Sequence, residues 1–193
     1  GQAVCLLRMG RFDEALATLD EAMPWVDAHA ANADVLWAYG LLALARLRVG
    51  RREEARAAAD KALARMRASI PVVYWVQPAV AGVVEVYNTL SLDAKGPARA
   101  ELLAVGQQAA RVLQVFSWSF QFARPAALFQ RGRRFLALSQ TSKAVRTWHR
   151  GLAVARELGM RYEEAQLLRA VADHDPAADR DATRAQAAAI IEA

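Results

Sequence analysis

The sequence is poor in cysteine, in phosphate-binding glycine motifs and in long hydrophobic runs. It contains one cysteine, Cys5, so no intramolecular disulfide can form and a reducing compartment, the cytoplasm, is expected. No apolar run reaches about 18 residues without a charged residue, so no membrane-spanning helix is predicted and no membrane partner is expected. The pattern Gly-x4-Gly-Lys-Ser/Thr is absent, which argues against a nucleotide site of that type.

The sequence also shows no group of residues spaced like those of a catalytic or metal site. Cys5 has no neighbouring His or Cys and is expected to be a buried structural thiol. The acidic run Asp173-His174-Asp175 has a spacing that fits neither a helix-face metal pair nor a calcium loop. His29 and His149 are isolated and are expected on the surface or in helix packing. The sequence therefore predicts no enzyme activity, no cofactor and no metal in this chain.

The charge and hydropathy place the chain among folded proteins. Hydrophobic residues make up 55% of the 193 residues, which excludes a disordered tail. The chain is also long enough to bury a hydrophobic core without the help of a disulfide or a bound metal. The 25 Lys and Arg exceed the 20 Asp and Glu, giving a net charge of +5. This excess permits nucleic-acid binding without indicating it, and no nucleic-acid partner is expected.

Small and apolar residues recur at helical spacing, in pairs of helices separated by a glycine. Val35–Val49 has an i, i+3, i+4, i+7 apolar stripe that ends at Gly50, and Arg51–Met66 resumes the pattern. The segment around Gly10 matches the segment around Gly50 position by position, 40 residues later. Ala22 and Ala62 follow at equivalent positions, where close helix crossings are expected. A repeated helix pair of this length predicts an α-solenoid.

A third copy of the pattern lies near the middle of the second half. Small and aromatic residues alternate there at Gly132, Phe135, Ala144, Trp148 and Gly151, and Ser139 takes the place of the turn glycine. These spacings resemble those of a tetratricopeptide repeat. We therefore predict an all-α superhelix over one domain, residues 1–193, with about ten helices in five antiparallel hairpins.

Two segments admit a β alternative. Ile70–Leu92 is rich in valine and could form two strands, but we predict helix because a lone hairpin has no sheet to join. Ser69 is the expected N-cap, Pro71 fits the first turn, and Pro78 should kink or restart the helix.

The second segment, Phe116–Ala123, has alternating aromatic residues and is predicted to be a connector that fills the groove between neighbouring repeats. A turn is predicted over Ser91–Pro97, and further helices over Met160–His174 and Asp179–Glu192. Gly1–Met9 holds only the end of a first helix, so the sequence is expected to be a fragment of a longer protein.

The stretch Phe122–His174 carries a family resemblance. Its relevant residues are Ala123-Arg124-Pro125, Gly132, Ala144, Trp148, Leu152, Ala155 and the run Leu158–Ala165. They resemble the C-terminal repeat region of large bacterial proteins that combine a class III adenylate/guanylate cyclase domain with an AAA/STAND-type ATPase. The resemblance implies a regulatory helical array of a signalling protein, with the catalytic domains outside this chain and no catalytic residue within it.

The predicted partner is a protein or peptide, which could be another domain of the same polypeptide. In repeats of this kind the first helix of each hairpin lines a groove, which selects Trp37 and Arg48, and Tyr74 and Trp75 would extend that surface. A basic cluster adds Arg124, Arg131 and Arg134 as contacts for an acidic partner, although a simple solvated face explains it as well. The alternative function is ligand sensing by a STAND-type regulator, with a pocket between Tyr74–Tyr87 and Phe116–Phe122.

Overall fold

The computed structural model describes residues 1–68 and 73–192 of the chain. These residues form ten α-helices and two short 3₁₀ turns, at Tyr74–Val76 and Gln121–Ala123, and contain no β-strand. The helices are α1 Gln2–Arg8, α2 Phe12–His29, α3 Asn32–Arg48, α4 Arg52–Ala68, α5 Gln77–Asp93, α6 Gly96–Ser119, α7 Arg124–Ala137, α8 Thr141–Glu157, α9 Arg161–His174 and α10 Arg180–Glu192. The predicted all-α fold class is confirmed.

From Tyr74 onward the valine-rich segment forms a 3₁₀ turn followed by α5, while Val73 is extended and joins no strand among the described residues. Val80, Val83 and Val86 are completely buried in α5, so these side chains stabilise a helix through packing despite their intrinsic strand propensity. Pro78 lies in the first turn of α5, where its missing N–H breaks no helical hydrogen bond, so a helix begins beside this proline. The roles predicted for Ser69 and Pro71 lie outside the described residues.

The chain divides into two compact units, Gly1–Phe116 and Ser117–Ala193. In unit 1 the helix pairs α1/α2 and α3/α4 pack together, and α5 packs mainly against α3. In unit 2 the pairs α7/α8 and α9/α10 pack together, and α8 also contacts α9. Helices α1 to α4 and α7 to α10 thus form consecutive helical hairpins, as the repeats predict. The single domain proposed from the sequence stays a prediction.

Small residues lie where helices cross most closely. A Cβ atom on Gly40 of α3 would come 2.7 Å from the Cβ of Ala79 on α5. In unit 2 a Cβ on Gly132 would come 2.1 Å from Nε1 of Trp148 on α8. Ala62 is also completely buried, as predicted. Ala22 is exposed, so its predicted place at a crossing is wrong: the corresponding turn of α2 faces solvent.

The turns follow the repeat pattern. Ser139 has a φ of 58° and ends the hairpin's first helix in the left-handed region, as Gly10 and Gly50 do at φ 76° and 82°. The substitution of the turn glycine by serine inferred from the sequence is therefore confirmed. Serine adopts this conformation at a conformational cost that glycine does not have.

The aromatic segment Phe116–Ala123 differs from its prediction as a separate connector. Helix α6 continues to Ser119, so Phe116 and Trp118 are helical, and only the 3₁₀ turn remains before α7. No proline interrupts the chain between the first turn of α6 and Phe120, and the helix therefore extends through the aromatic residues. The turn predicted over Ser91–Pro97 is likewise shorter, because α5 ends at Asp93 and α6 begins at Gly96.

Candidate protein-binding surfaces

A groove of about 560 Å³ opens in unit 1 where α1, α3 and the start of α5 meet. Its lining consists of Gly1, Val4, Cys5, Arg8, Asp34, Trp37, Trp75 and Pro78. The rings of Trp37 and Trp75 meet edge to face, with centroids 6.5 Å apart and planes at 72°. Two of the residues predicted as partner contacts are therefore brought together, from α3 and from the 3₁₀ turn before α5.

The groove combines apolar walls with a few polar groups. Trp37, Trp75, Val4 and Pro78 supply the apolar surface, while Arg8 and Asp34 supply one charge of each sign. Such a mixture suits a ligand that inserts an apolar side chain and offers main-chain or side-chain polar atoms at the edge. Nothing in the sequence indicated that Arg8, Asp34, Val4 and Pro78 line a groove, because no local pattern brings α1 next to Trp75.

Cys5 lines this groove, and its exposure differs from the sequence prediction. Its thiol was expected to be a buried structural group, but the residue is exposed and free. Ala3, Leu6 and Leu7 occupy the buried side of α1 instead, and Cys5 falls on the opposite side of that short helix. The thiol is thus accessible from the groove.

Tyr74 is exposed, at 65% of its maximal surface, one position before Trp75. It does not belong to the groove lining. Its place in the 3₁₀ turn puts it next to the groove in sequence, and its role as a partner contact stays a prediction.

Arg48 has partners within unit 1. Its guanidinium donates a hydrogen bond of 2.5 Å to Oε1 of Glu85 on α5, a carboxylate whose side chain is only 6% exposed. The same guanidinium lies 5.9 Å from the ring centroid of Phe12 on α2. Arg48 therefore links three helices of unit 1, and Glu85 could not be recognised from the sequence because it lies 37 residues away.

Replacing Arg48 with methionine is expected to lower the free energy of unfolding by about 1 to 2 kcal/mol, the cost of removing a hydrogen-bond partner from a buried carboxylate. The substitution keeps most of the side-chain length but leaves the buried carboxylate of Glu85 without this cation. Urea unfolding followed by circular dichroism measures the change. Arg51→Met is the control, because Arg51 makes only an exposed contact of 3.8 Å with Glu54, whose loss is worth about 0.5 kcal/mol or less. Equal stability losses would contradict this role of Arg48.

The three predicted basic contacts of unit 2 differ in their surroundings. Arg124 and Arg131 are exposed on α7, and Arg134 is half-buried. The guanidinium carbon of Arg131 lies 5.6 Å from the ring centroid of Phe135, and Nζ of Lys143 lies 6.0 Å from the same centroid. The basic stretch thus contains at least one place where two cations converge on a single aromatic ring.

His149 has a carboxylate partner that the sequence did not reveal. Its Nε2 lies 2.7 Å from Oδ2 of Asp175, and Asp175 Oδ1 accepts a hydrogen bond of 3.0 Å from the backbone N–H of Ala177. These bonds, that of His149 first, lower the pKa of Asp175. The contact ties α8 to the turn after α9, and no third ligand joins it: the described residues contain no group of three or more His, Cys, Asp or Glu arranged around a metal position.

Tyr87, which bounds the pocket of the ligand-sensing alternative, is 1% exposed. Its hydroxyl donates a hydrogen bond of 2.5 Å to Asp60 on α4. Burial, followed by this hydrogen bond, raises the pKa of the Tyr87 hydroxyl far above its usual value. Tyr87 therefore acts as a packing and hydrogen-bonding residue between α4 and α5.

In a comparison with known protein families, one family model matches part of the chain. Residues 1–68 match the tetratricopeptide repeat family model, which covers α1 to α4 and includes Trp37 of the groove. No curated protein matches the chain. The first two hairpins are therefore a tetratricopeptide-like repeat region, a fold that typically mediates protein–protein contacts and is typically not catalytic. In the part of the chain that the structure describes, none of the helices is both long and apolar enough to cross a membrane.

Proposed function

We propose that this chain is a non-catalytic protein-interaction module that binds a peptide segment of another protein in the Trp37/Trp75 groove. The groove carries the proposal, because it presents Trp37, from the region that matches the tetratricopeptide repeat model, beside Trp75. Tryptophan is among the residues that most often dominate binding energy at protein interfaces. A volume of about 560 Å³ is large enough for one or two apolar side chains of a partner.

The cellular setting follows from the sequence resemblance. We propose that the chain is the regulatory repeat region of a multidomain signalling protein similar to the bacterial cyclase–ATPase proteins. The segment Phe122–His174 supports this setting, because Gly132, Trp148 and the run Leu158–Ala165 resemble the repeat region of those proteins. The peptide partner would then be a segment of the same polypeptide or of a protein in the same pathway, and Arg48, Tyr74, Arg124, Arg131 and Arg134 remain candidate contacts.

Peptide selection tests the groove directly. A random library of short displayed peptides is selected on the wild-type chain, and the affinity of the best peptide is measured by fluorescence polarisation. Trp37→Ala and Trp75→Ala are each expected to weaken its binding about tenfold or more, because each removes an aromatic wall of the groove. Trp25→Ala is the matched control: Trp25 is 62% exposed on α2 and does not line the groove.

Two results would count against the groove as a peptide site. One is a selected peptide whose affinity is the same for the wild type and for both groove variants. The other is a failure to select any peptide while a small metabolite raises the melting temperature of the wild type but not of Trp37→Ala. The second result favours the ligand-sensing alternative, because a ligand that binds only the folded state stabilises it by RT ln(1 + [L]/Kd).

A further inference from the structure

Six arginines of unit 1 pair with a carboxylate: Arg11, Arg46, Arg48, Arg51, Arg52 and Arg56. Unit 2 departs from this pattern over residues 124–160, which contain eight Lys and Arg and a single acid, Glu157. This stretch therefore contains more positive charge than its own acidic residues can balance, and of its cations Arg156 pairs with Glu164 on α9.

The uncompensated charge is concentrated on α7 and α8. Arg131 and Lys143 both lie against the Phe135 ring, at 5.6 and 6.0 Å from its centroid. Among the residues that the structure describes, no carboxylate lies within ion-pairing distance of Arg131, Lys143, Arg146 or Arg150. The ring attracts each cation, and their two positive charges add to the attraction that an approaching carboxylate would feel.

The packing of α8 fixes the direction of its charged face. Ala144, Trp148 and Leu152 are buried in the core of unit 2, and they orient the helix. Lys143, Arg146 and Arg150 are exposed on another face, at positions i, i+3 and i+7. They span about 10 Å along the helix axis at 1.5 Å per residue. We call Arg131, Lys143, Arg146 and Arg150 the basic surface.

The geometry points to an acidic peptide segment of a protein partner as the ligand of the basic surface. The assignment rests on the proposed protein-binding function and extends it to a second site in the other unit. Three of the four cations are spread along about two turns of α8, which suits several Asp or Glu side chains of one segment better than a single phosphate group. Nucleic acid is the poorer fit, because the Phe135 ring beside these cations is half-buried against the core of unit 2 and does not present an open face for base stacking.

A charge-reversal experiment tests the basic surface. The probe is a fluorescein-labelled peptide of alternating Glu and Ala, titrated with the complete chain at low and at physiological salt. The double variant Arg146→Glu/Arg150→Glu is expected to bind it at least tenfold more weakly, because two attractions become repulsions. The matched control is Arg161→Glu/Arg169→Glu on α9, which changes the net charge of unit 2 equally at two exposed arginines. Circular dichroism verifies that both variants keep their helix content.

The outcomes separate the basic surface from the groove. Tenfold weaker binding by the α8 variant, with the control within twofold of the wild type, supports the basic surface. Equal losses in both variants, no binding of the acidic peptide by the wild type, or tighter binding of a single-stranded oligonucleotide than of the peptide would each overturn it. If the Trp37→Ala variant still binds the acidic peptide but no longer binds the selected groove peptide, the result supports both proposed sites. If the wild type binds only the acidic peptide, the groove proposal fails alone.

Discussion

Replacing Gly132 with alanine is expected to lower the free energy of unfolding by about 3 kcal/mol. The new Cβ would lie 2.1 to 2.6 Å from three atoms of the Trp148 indole. That ring is 1% exposed, and its N–H donates a hydrogen bond of 3.1 Å to the carbonyl of Phe129, so it cannot move aside freely. In an exposed helix the same substitution would gain up to about 1 kcal/mol from helix propensity, and here the overlap outweighs that gain.

Gly151→Ala is the control for this prediction. Its Cβ would meet the Cδ2 atom of Leu167 at 2.9 Å, the end of a flexible side chain, and the Cβ of Leu128 at 3.2 Å. We expect a loss of about 1 kcal/mol or less, because the leucine can change its rotamer. Urea unfolding followed by circular dichroism compares the two variants. A Gly132→Ala chain as stable as the wild type would show that α7 and α8 do not cross as closely as described.

Gly40→Ala is expected to lower the free energy of unfolding by about 2 kcal/mol through a different contact. A Cβ on Gly40 would lie 2.7 Å from the Cβ of Ala79 and 2.8 Å from its carbonyl oxygen. The obstacle is therefore partly backbone of α5, which moves only if the whole helix moves. Because α3 carries Trp37 and α5 follows Trp75, a shift between these helices would also disturb the groove.

Gly82→Ala, on the other side of the same crossing, provides the comparison. Its Cβ would approach the Gly40 carbonyl oxygen at 3.1 Å and the Cβ of Leu44 at 3.3 Å, which requires adjustments of only a few tenths of an ångström. We expect its stability to stay within about 1 kcal/mol of the wild type, since the helix-propensity gain offsets most of the crowding. We expect Gly40→Ala to have a lower unfolding midpoint than Gly82→Ala. The reverse order would contradict the α3–α5 packing.

The repeat pattern predicted the helices and several special positions. The small-to-aromatic alternation at Gly132 and Trp148 marked two residues that turn out to touch, because a helix crossing needs space for the ring. The position of Ser139 predicted its left-handed turn, since the equivalent residues are Gly10 and Gly50. Repeats make such positions predictable because each hairpin packs against its neighbour in a similar way.

Other features depend on contacts that no local pattern encodes. The aromatic alternation in Phe116–Ala123 did not show that α6 continues to Ser119, because helix ends depend on what the next turn packs against. Ala22 was expected at a helix crossing from its position in a repeat, and Cys5 was expected to be a buried thiol, yet both are exposed in the first hairpin.

The groove was predictable only in part. The sequence indicated Trp37 and Trp75 as aromatic contact residues, but their edge-to-face contact joins α3 to the 3₁₀ turn before α5, between residues 38 positions apart. The participation of Arg8 and Asp34 depends on how α1 lies beside α3, and the pairing of Arg48 with Glu85 depends on the α3–α5 crossing. Each of these is a property of the packed unit.

Hydrogen–deuterium exchange of the wild-type chain, with and without a peptide selected on it, tests the groove most directly. We expect added protection in α1, in the first half of α3 and at the start of α5, where the groove lining lies. Peptides from α8, on the basic surface, should exchange at unchanged rates. Protection confined to α7 and α8, or no protection in α1 and α3 at saturating peptide, would contradict binding at Trp37 and Trp75.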